Sequence, residues 1–209
     1  MVTVIEVYAD ICCPFTHVGL RAIAKRRREL GRDDVVLRVR AWPLELVNGR
    51  PLDSLTTAEH IEALRAQVAP DLFTHFDPSH FPATSLPAMA VAAAAYRRDD
   101  RIGESVSFAL RDSLFEAGRD VSLPPVLAEI SNAYGVLDIG PEDDRMVLAE
   151  WQEGQSRGVK GSPHFFCGDL DAFCPSLDIS RTGAGELQLR RDVEALDLFL
   201  VECFKEPTR

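Results

Sequence analysis

Three things are scarce in this sequence, and each absence narrows what the chain can be. No long apolar run is present. The longest, near Leu86–Tyr96, is short and rich in alanine, well below the roughly 20 residues a helix needs to cross a bilayer. No excess of positive charge is present either: the net charge is -10 at pH 7 and the pI is near 5.0. An acidic chain is repelled by nucleic acid and by anionic membrane surfaces, so neither is expected as a partner. The cysteines do not form an even set. There are five, Cys12, Cys13, Cys167, Cys174 and Cys203, so at least one has no partner within the chain.

The opening MVTVIEVYAD has no basic leader followed by an apolar stretch and a small-residue cleavage site, and no secretory signal is expected. The expected compartment is therefore the reducing cytoplasm, where lasting disulfides are rare. What the chain does have is core-forming material. Of its 209 residues, 46% are hydrophobic, enough for a real core in one domain or one domain with an insertion.

Thr3–Ala9 alternates and is β-rich, which predicts a strand. Pro14 suits the first position of a helix, where a missing N–H costs nothing. Phe15, Val18, Ala22, Ile23 and Leu30 follow at helical spacing, with Lys25–Arg28 near the end and Gly31 as a stop. Val35–Trp42 alternates again. The three segments predict a parallel βαβ unit. Five helices are then predicted: from Thr56 or Thr57 to Phe73, and over Pro87–Arg97, Arg101–Ala117, Pro124–Tyr134 and Pro141–Arg157. A hairpin of His164–Cys167 and Ala172–Cys174 comes next, and an amphipathic helix over Glu186–Phe204 closes the chain. The pattern predicts an α/β domain of residues 1–56 and 158–209, interrupted by a helical insertion at 57–157.

Two stretches carry chemistry. In DICCPFTHVG (10–19), Cys13 precedes Pro14 at a helix N-terminus. Unpaired N–H groups and the helix dipole there favour negative charge, which predicts a lowered thiol pKa. The alternative is a buried cysteine at a strand–helix junction. Cys12, next along the strand end, is expected to point inward. In GVKGSPHFF (158–166), a Ser-Pro pair enters an apolar strand. Proline cannot donate to a ladder. Either the Ser162–Pro163 bond is cis, exposing the edge groups of Ser162, or a trans proline begins an edge strand.

Together these segments resemble the DsbA-like branch of the thioredoxin superfamily, in its FrnE-like group bordering 2-hydroxychromene-2-carboxylate isomerase and kappa-class glutathione transferase. The first has the strand, Asp, two residues, then Cys-Pro; the second has Gly-Val-X-Gly-X-Pro-X-Phe; Phe115–Val136 is similar to that branch's insertion. The resemblance implies a thioredoxin fold with an inserted all-helical subdomain. It implies that Cys13 is the attacking cysteine, that Pro14 and Phe15 are the intervening pair beside the substrate, and that Ser162 and Pro163 form the cis-proline segment.

Position 16 departs from the pattern. A two-cysteine oxidoreductase carries its resolving cysteine there, and this chain has Thr16. Threonine cannot attack a mixed disulfide, so a dithiol cycle within the motif is excluded. What remains is a monothiol cycle, with Thr16 donating a hydrogen bond to the Cys13 thiolate, an interaction of about 1.5–3 kcal/mol. The partner would be a protein thiol or disulfide, or a small thiol such as glutathione or mycothiol, with no tightly bound cofactor. Two alternatives stand beside this: a thiol-cofactor-dependent isomerase or transferase, and a non-enzymatic peptide- or thiol-binding module. A homodimer is left open. His17, one residue past the motif, is expected to be exposed, either beside the thiol where it could tune it or simply solvated. Cys167 and Cys174 are expected to flank a hairpin turn, where they could face each other or one could reach Cys13. Neither His164 with those cysteines nor His75, Asp77 and His80 offers a convincing metal spacing, and none is expected.

Overall fold

A computed structural model describes residues 2–205. Strand β1 (Thr3–Ala9) leads through a tight turn into helix α1 (Pro14–Glu29) and then β2 (Val35–Ala41). A short helix α2 (Leu44–Asn48) and helices α3 (Ser54–Gln67), α4 (Leu86–Arg98), α5 (Asp100–Phe115), α6 (Pro124–Ala133) and α7 (Pro141–Ser156) come after it. The chain returns as β3 (His164–Cys167) and β4 (Leu170–Phe173), forms a hairpin β5 (Leu177–Arg181) and β6 (Leu187–Arg191), and ends in α8 (Val193–Cys203).

The main sheet has the order β2-β1-β3-β4. β1 and β2 run parallel with Val7 opposite Val39, and β3 joins antiparallel with Val7 opposite Phe165. Alternation divides the sheet's two faces. Ile5, Val7, Ala9, Val35, Leu37, Val39 and Phe165 pack in a core with Leu20 and Ile23 of α1 and Leu196, Phe199 and Leu200 of α8. Tyr8 and Phe166 lie on the other face with Trp42 and Trp151. A larger core belongs to the helices and reaches Ile11, Cys12 and Val18 beside the first turn of α1. The thiol segment thus sits where the two cores meet.

Three sequence expectations are corrected. The first insertion helix ends at Gln67 rather than Phe73. Ala69 precedes Pro70, and a residue before proline is pushed out of helical geometry. Its start is set by Asp53, whose side chain accepts the Thr56 N–H. The final helix starts at Val193 rather than Glu186, capped by Asp192, which accepts the Ala195 N–H at 2.9 Å. The five residues before Asp192 form β6 instead. Its Leu189 N–H donates to Gln67 Oε1 at 2.8 Å, and Gln67 Nε2 donates to the Leu187 carbonyl at 3.1 Å. The β5–β6 hairpin, in a stretch with no predicted strand, is therefore tied to α3. Cys167 and Cys174 do not face each other. The register places Cys167 opposite Leu170 at the turn and His164 opposite Phe173 at the far end, with Cys174 beyond it. All five cysteines are free.

Helices α4 and α5 meet at Gly103, where an added Cβ would overlap the Tyr96 ring. That ring cannot move cheaply: its hydroxyl donates to the Leu37 carbonyl and accepts the Val39 N–H, both at 2.9 Å. Gly103→Ala is therefore expected to cost about 1–3 kcal/mol despite alanine's better helix propensity. Urea unfolding reads this as a lower midpoint, and an unchanged midpoint would contradict the packing.

Candidate active site

The site is assembled from the ends of three elements. Asp10 closes β1 and is buried. Its Oδ1 accepts the Cys12 N–H at 2.8 Å, and its Oδ2 accepts the Leu44 N–H at 2.6 Å and the Ser85 hydroxyl at 3.2 Å. One side chain thus ties the turn before α1 to α2 and to the start of α4. Burial pushes the Asp10 carboxyl up to about 6, although these hydrogen bonds favour the charged form.

Cys13 is the N-cap of α1 and its carbonyl accepts the His17 N–H at 3.2 Å. The thiol Sγ–H donates to the Ser162 carbonyl at 3.2 Å. The Ser162–Pro163 bond is cis. The Ser162 hydroxyl oxygen accepts the Asp10 N–H at 2.9 Å and lies 2.8 Å from Thr16 Oγ1. Ser162 therefore meets all three other groups: strand end, thiol and Thr16. Pro163 closes the back of the site, with Gly19 of α1 leaving it room: a Cβ at Gly19 would lie 3.5 Å from Pro163 Cγ. Pro14 is buried at the helix start. The Phe15 ring packs 5.4 Å from that of His60 on α3.

The expected lowered thiol pKa is corrected. Cys13 is 4% exposed and Thr16 is fully buried. Burial pushes the Cys13 thiol above its usual value, although Thr16 and Ser162 pull it down and the nearby Asp10 adds to the rise. The sequence reveals the helix N-terminus, but not how completely the fold closes over it.

His17 is also not where the sequence placed it. It is 1% exposed, packed between Phe73 and Phe115, with Nε2 2.7 Å from Glu116 Oε1. Glu116 accepts in addition the N–H groups of Phe73 and Thr74. It joins α1 to the helical insertion and was not singled out in the sequence, where nothing marks a glutamate just past a helix end. Burial lowers the His17 pKa despite Glu116. Burial raises that of Glu116, but His17 and the two N–H groups outweigh it and hold the carboxyl at about 2. Both signs act alike. Neutral His17 stabilises the fold above its unfolded value near 6.5, and that stability is lost below it. Ionised Glu116 stabilises above its unfolded value near 4.5, and that stability is lost as pH falls toward 2. The difference in unfolding free energy between the wild type and Glu116→Gln is expected to shrink as pH falls from about 5 to about 3, the range in which the unfolded-state glutamate takes up its proton. A difference independent of pH would refute the coupling.

Of the other candidates, Cys174 is near enough to Cys13 for a thiolate there to disfavour its own charge, and the rest make no hydrogen bond to the thiol. His164 follows Pro163, yet alternation turns it to the opposite sheet face beside Phe166. It accepts the Lys160 N–H on Nδ1 and donates from Nε2 to Asp171 at 2.8 Å. Cys12 packs inward among the helices. The Cys174 N–H donates to the Pro163 carbonyl at 3.1 Å, and burial pushes its thiol up to about 12. Asp77 accepts the Ser79 N–H, and His80 Nδ1 lies 3.1 Å from the Gly118 carbonyl.

Similarity to known proteins runs along the same framework. No curated protein sequence matches the chain. A 2-hydroxychromene-2-carboxylate isomerase structure aligns with a TM-score of 0.60 at 15% identity, over 81% of this chain and 88% of that one. The cytosolic disulfide reductase DsbM from Pseudomonas aeruginosa aligns with a TM-score of 0.56 at 15% identity, over 95% and 98%. ScsC from Proteus mirabilis in a compact conformation gives 0.54 at 9% identity, over 98% and 85%. At such identities these likenesses speak for the fold. The profile of the DSBA-like thioredoxin domain matches residues 4–182, from the first strand through the thiol turn and the cis-proline segment to β5, and the chain belongs to that family.

Proposed function

We propose that this protein is a thiol–disulfide exchange protein that works with one cysteine. The observation that carries the reading is Thr16. It occupies the third position after Cys13, and its hydroxyl is bound to Ser162, so the motif has a capturing sulfur and no resolving one. In the first step the Cys13 thiolate attacks a disulfide R–S–S–R. The Cys13–S–S–R bond forms, and RS⁻ leaves and takes a proton from solvent. In the second step an external thiolate R′S⁻ attacks the R sulfur, giving R–S–S–R′ and returning the Cys13 thiolate. Ser162 and Pro163 form the wall beside the sulfur, and Pro14 and Phe15 come directly after it in the chain. Glutathione suits the role of small thiol, since a structure of the related-fold DsbM was solved with GSH; mycothiol would serve the same chemistry. A reducing cytoplasm would supply either.

A second reading, a thiol-dependent isomerase or transferase, is favoured by one feature. A cavity of about 420 Å³ lies between α1, the segment after α3, and α8. Its walls include Val18, Ala22, Ala69, Leu72 and Leu196 but neither Cys13 nor Ser162, so the exchange reading fits the thiol better.

The experiment is incubation with oxidised glutathione followed by peptide mass spectrometry. A glutathionyl adduct on Cys13, released by excess thiol, is the expected result. No adduct, or an adduct only on the half-buried Cys167, would overturn the proposal.

A further inference from the structure

Arg111 of α5 heads the fully buried side chains by volume. Its hydrogen bonds go to Ser107 and to the backbone of Asp10, and Nε has no partner. No carboxylate is among those partners. A guanidinium keeps its proton, and a buried unpaired charge is costly, so its position calls for a compensating anion.

The hydrogen bonds of Arg111 lead to the turn that carries the thiol. Arg111 Nη1 is fixed by the Ser107 hydroxyl at 2.6 Å and the Ser107 carbonyl at 3.0 Å, and Nη2 donates to the Asp10 carbonyl at 3.2 Å. The same Asp10 carbonyl accepts the Cys13 N–H at 3.4 Å. The guanidinium is therefore two hydrogen bonds from the residue that carries the thiol, and it approaches from the helical insertion. We propose that Arg111 is a positioning residue for the thiol site, a buried cation that offsets the Asp10 carboxylate and so lets the Cys13 thiolate form.

Asp10 and a Cys13 thiolate are two anions behind one helix start, and each disfavours the other. Arg111 is the cation that donates to the backbone of the turn that bears them. The groups facing it are Asp10, Cys12 and Cys13 from the turn and Tyr96 from α4; burial disfavours its charge, and their anionic forms favour it. Arg40 and Glu150 line the same small void beside Arg111, but Glu150 is engaged with the Ala41 N–H and with Arg40. Asp10 and Cys13 are left as the anions that Arg111 serves.

This inference rests on the proposed role of Cys13, and its test is independent of redox turnover. The rate of iodoacetamide alkylation at Cys13, read by peptide mass spectrometry, is measured against pH. The thiol proton passes to solvent, the thiolate displaces iodide, and the rate tracks the thiolate fraction. Arg111→Met removes the charge at similar volume, a change buried ion sites often tolerate. Arg111→Gln, which keeps an amide donor, serves if the methionine variant does not fold. The midpoint is expected to rise by about one pH unit, about a tenfold slower rate below the midpoint, with the limiting rate at high pH unchanged. A folded neutral variant with the wild-type midpoint would overturn the proposal. So would a lower limiting rate with no shift in midpoint, the signature of a structural role. If Cys13 forms no glutathione adduct yet the midpoint shifts, the exchange reading fails and this one stands.

Discussion

Thr16→Cys gives this protein a resolving thiol. The expected result is a glutathione adduct on Cys13 that is released at least about tenfold faster than in the wild type without added thiol, leaving a disulfide between Cys13 and the introduced sulfur. The expectation rests on position. Cys13 is the N-cap of α1 and Thr16 lies in its first turn, and Cα atoms so placed are about 5–6 Å apart, inside the range a disulfide bridges. Thr16 already directs its hydroxyl to Ser162, whose carbonyl holds the Cys13 thiol, so a sulfur at this position enters the same small space. The substitution removes the Thr16–Ser162 hydrogen bond, a cost of about 1 kcal/mol, small beside the kinetic gain of an intramolecular attack. The measurement is the time course of glutathione loss by mass spectrometry. An adduct that persists as long as in the wild type would mean that the two side chains do not meet, and the site geometry would be wrong.

Asp10→Ala is expected to be the most damaging single change near the site. It removes the acceptor of two buried N–H groups, those of Cys12 and Leu44, and of the Ser85 hydroxyl. Buried donors without partners cost about 1–3 kcal/mol each, so a loss of about 3–5 kcal/mol is expected. Asp10→Asn keeps one carbonyl acceptor and is expected to lose less. The carboxylate also has a charge-dependent cost. Its folded pKa of about 6 lies above the usual carboxylate value of 3.8, so the folded state binds its proton more tightly and stability falls as pH rises between these values. The gap between wild type and Asp10→Ala in chemical denaturation should therefore be wider at about pH 4 than at about pH 7. A gap below about 1 kcal/mol at both would show that solvent or neighbouring groups satisfy those donors.

Much of the framework was legible because it obeys local rules. Alternation in Thr3–Ala9 and Val35–Ala41, proline at the first positions of α1, α6 and α7, and glycines at positive φ after several helices mark most of the elements. The two signals at Cys13 and Ser162–Pro163 are 149 residues apart in sequence and meet at 3.2 Å. The features that were not legible depend on long-range contact. β6 has the composition of a helix start and becomes a strand because Gln67 holds it and Asp192 caps the helix after it. Burial of Cys13 reverses the pKa direction that a helix N-terminus alone suggests. His17 reads as a solvent-facing neighbour of the motif until Glu116, 99 residues away, is folded against it. Arg111 carries no signal in the sequence, where an arginine in mid-helix usually faces water.

The hydrogen bond from Cys13 to the Ser162 carbonyl has a consequence for the protein's hydrogen inventory. In the reduced form the thiol supplies the hydrogen that this carbonyl receives. A disulfide carries no such hydrogen, so every adduct at Cys13 takes away a donor as it adds a ligand. The carbonyl must then be supplied by the ligand's own N–H or by water. If Cys13 exchanges as proposed, adducts that bring a well-placed N–H are expected to outlast those that do not, and selectivity among thiols would be set in part by what each can give back to one oxygen atom.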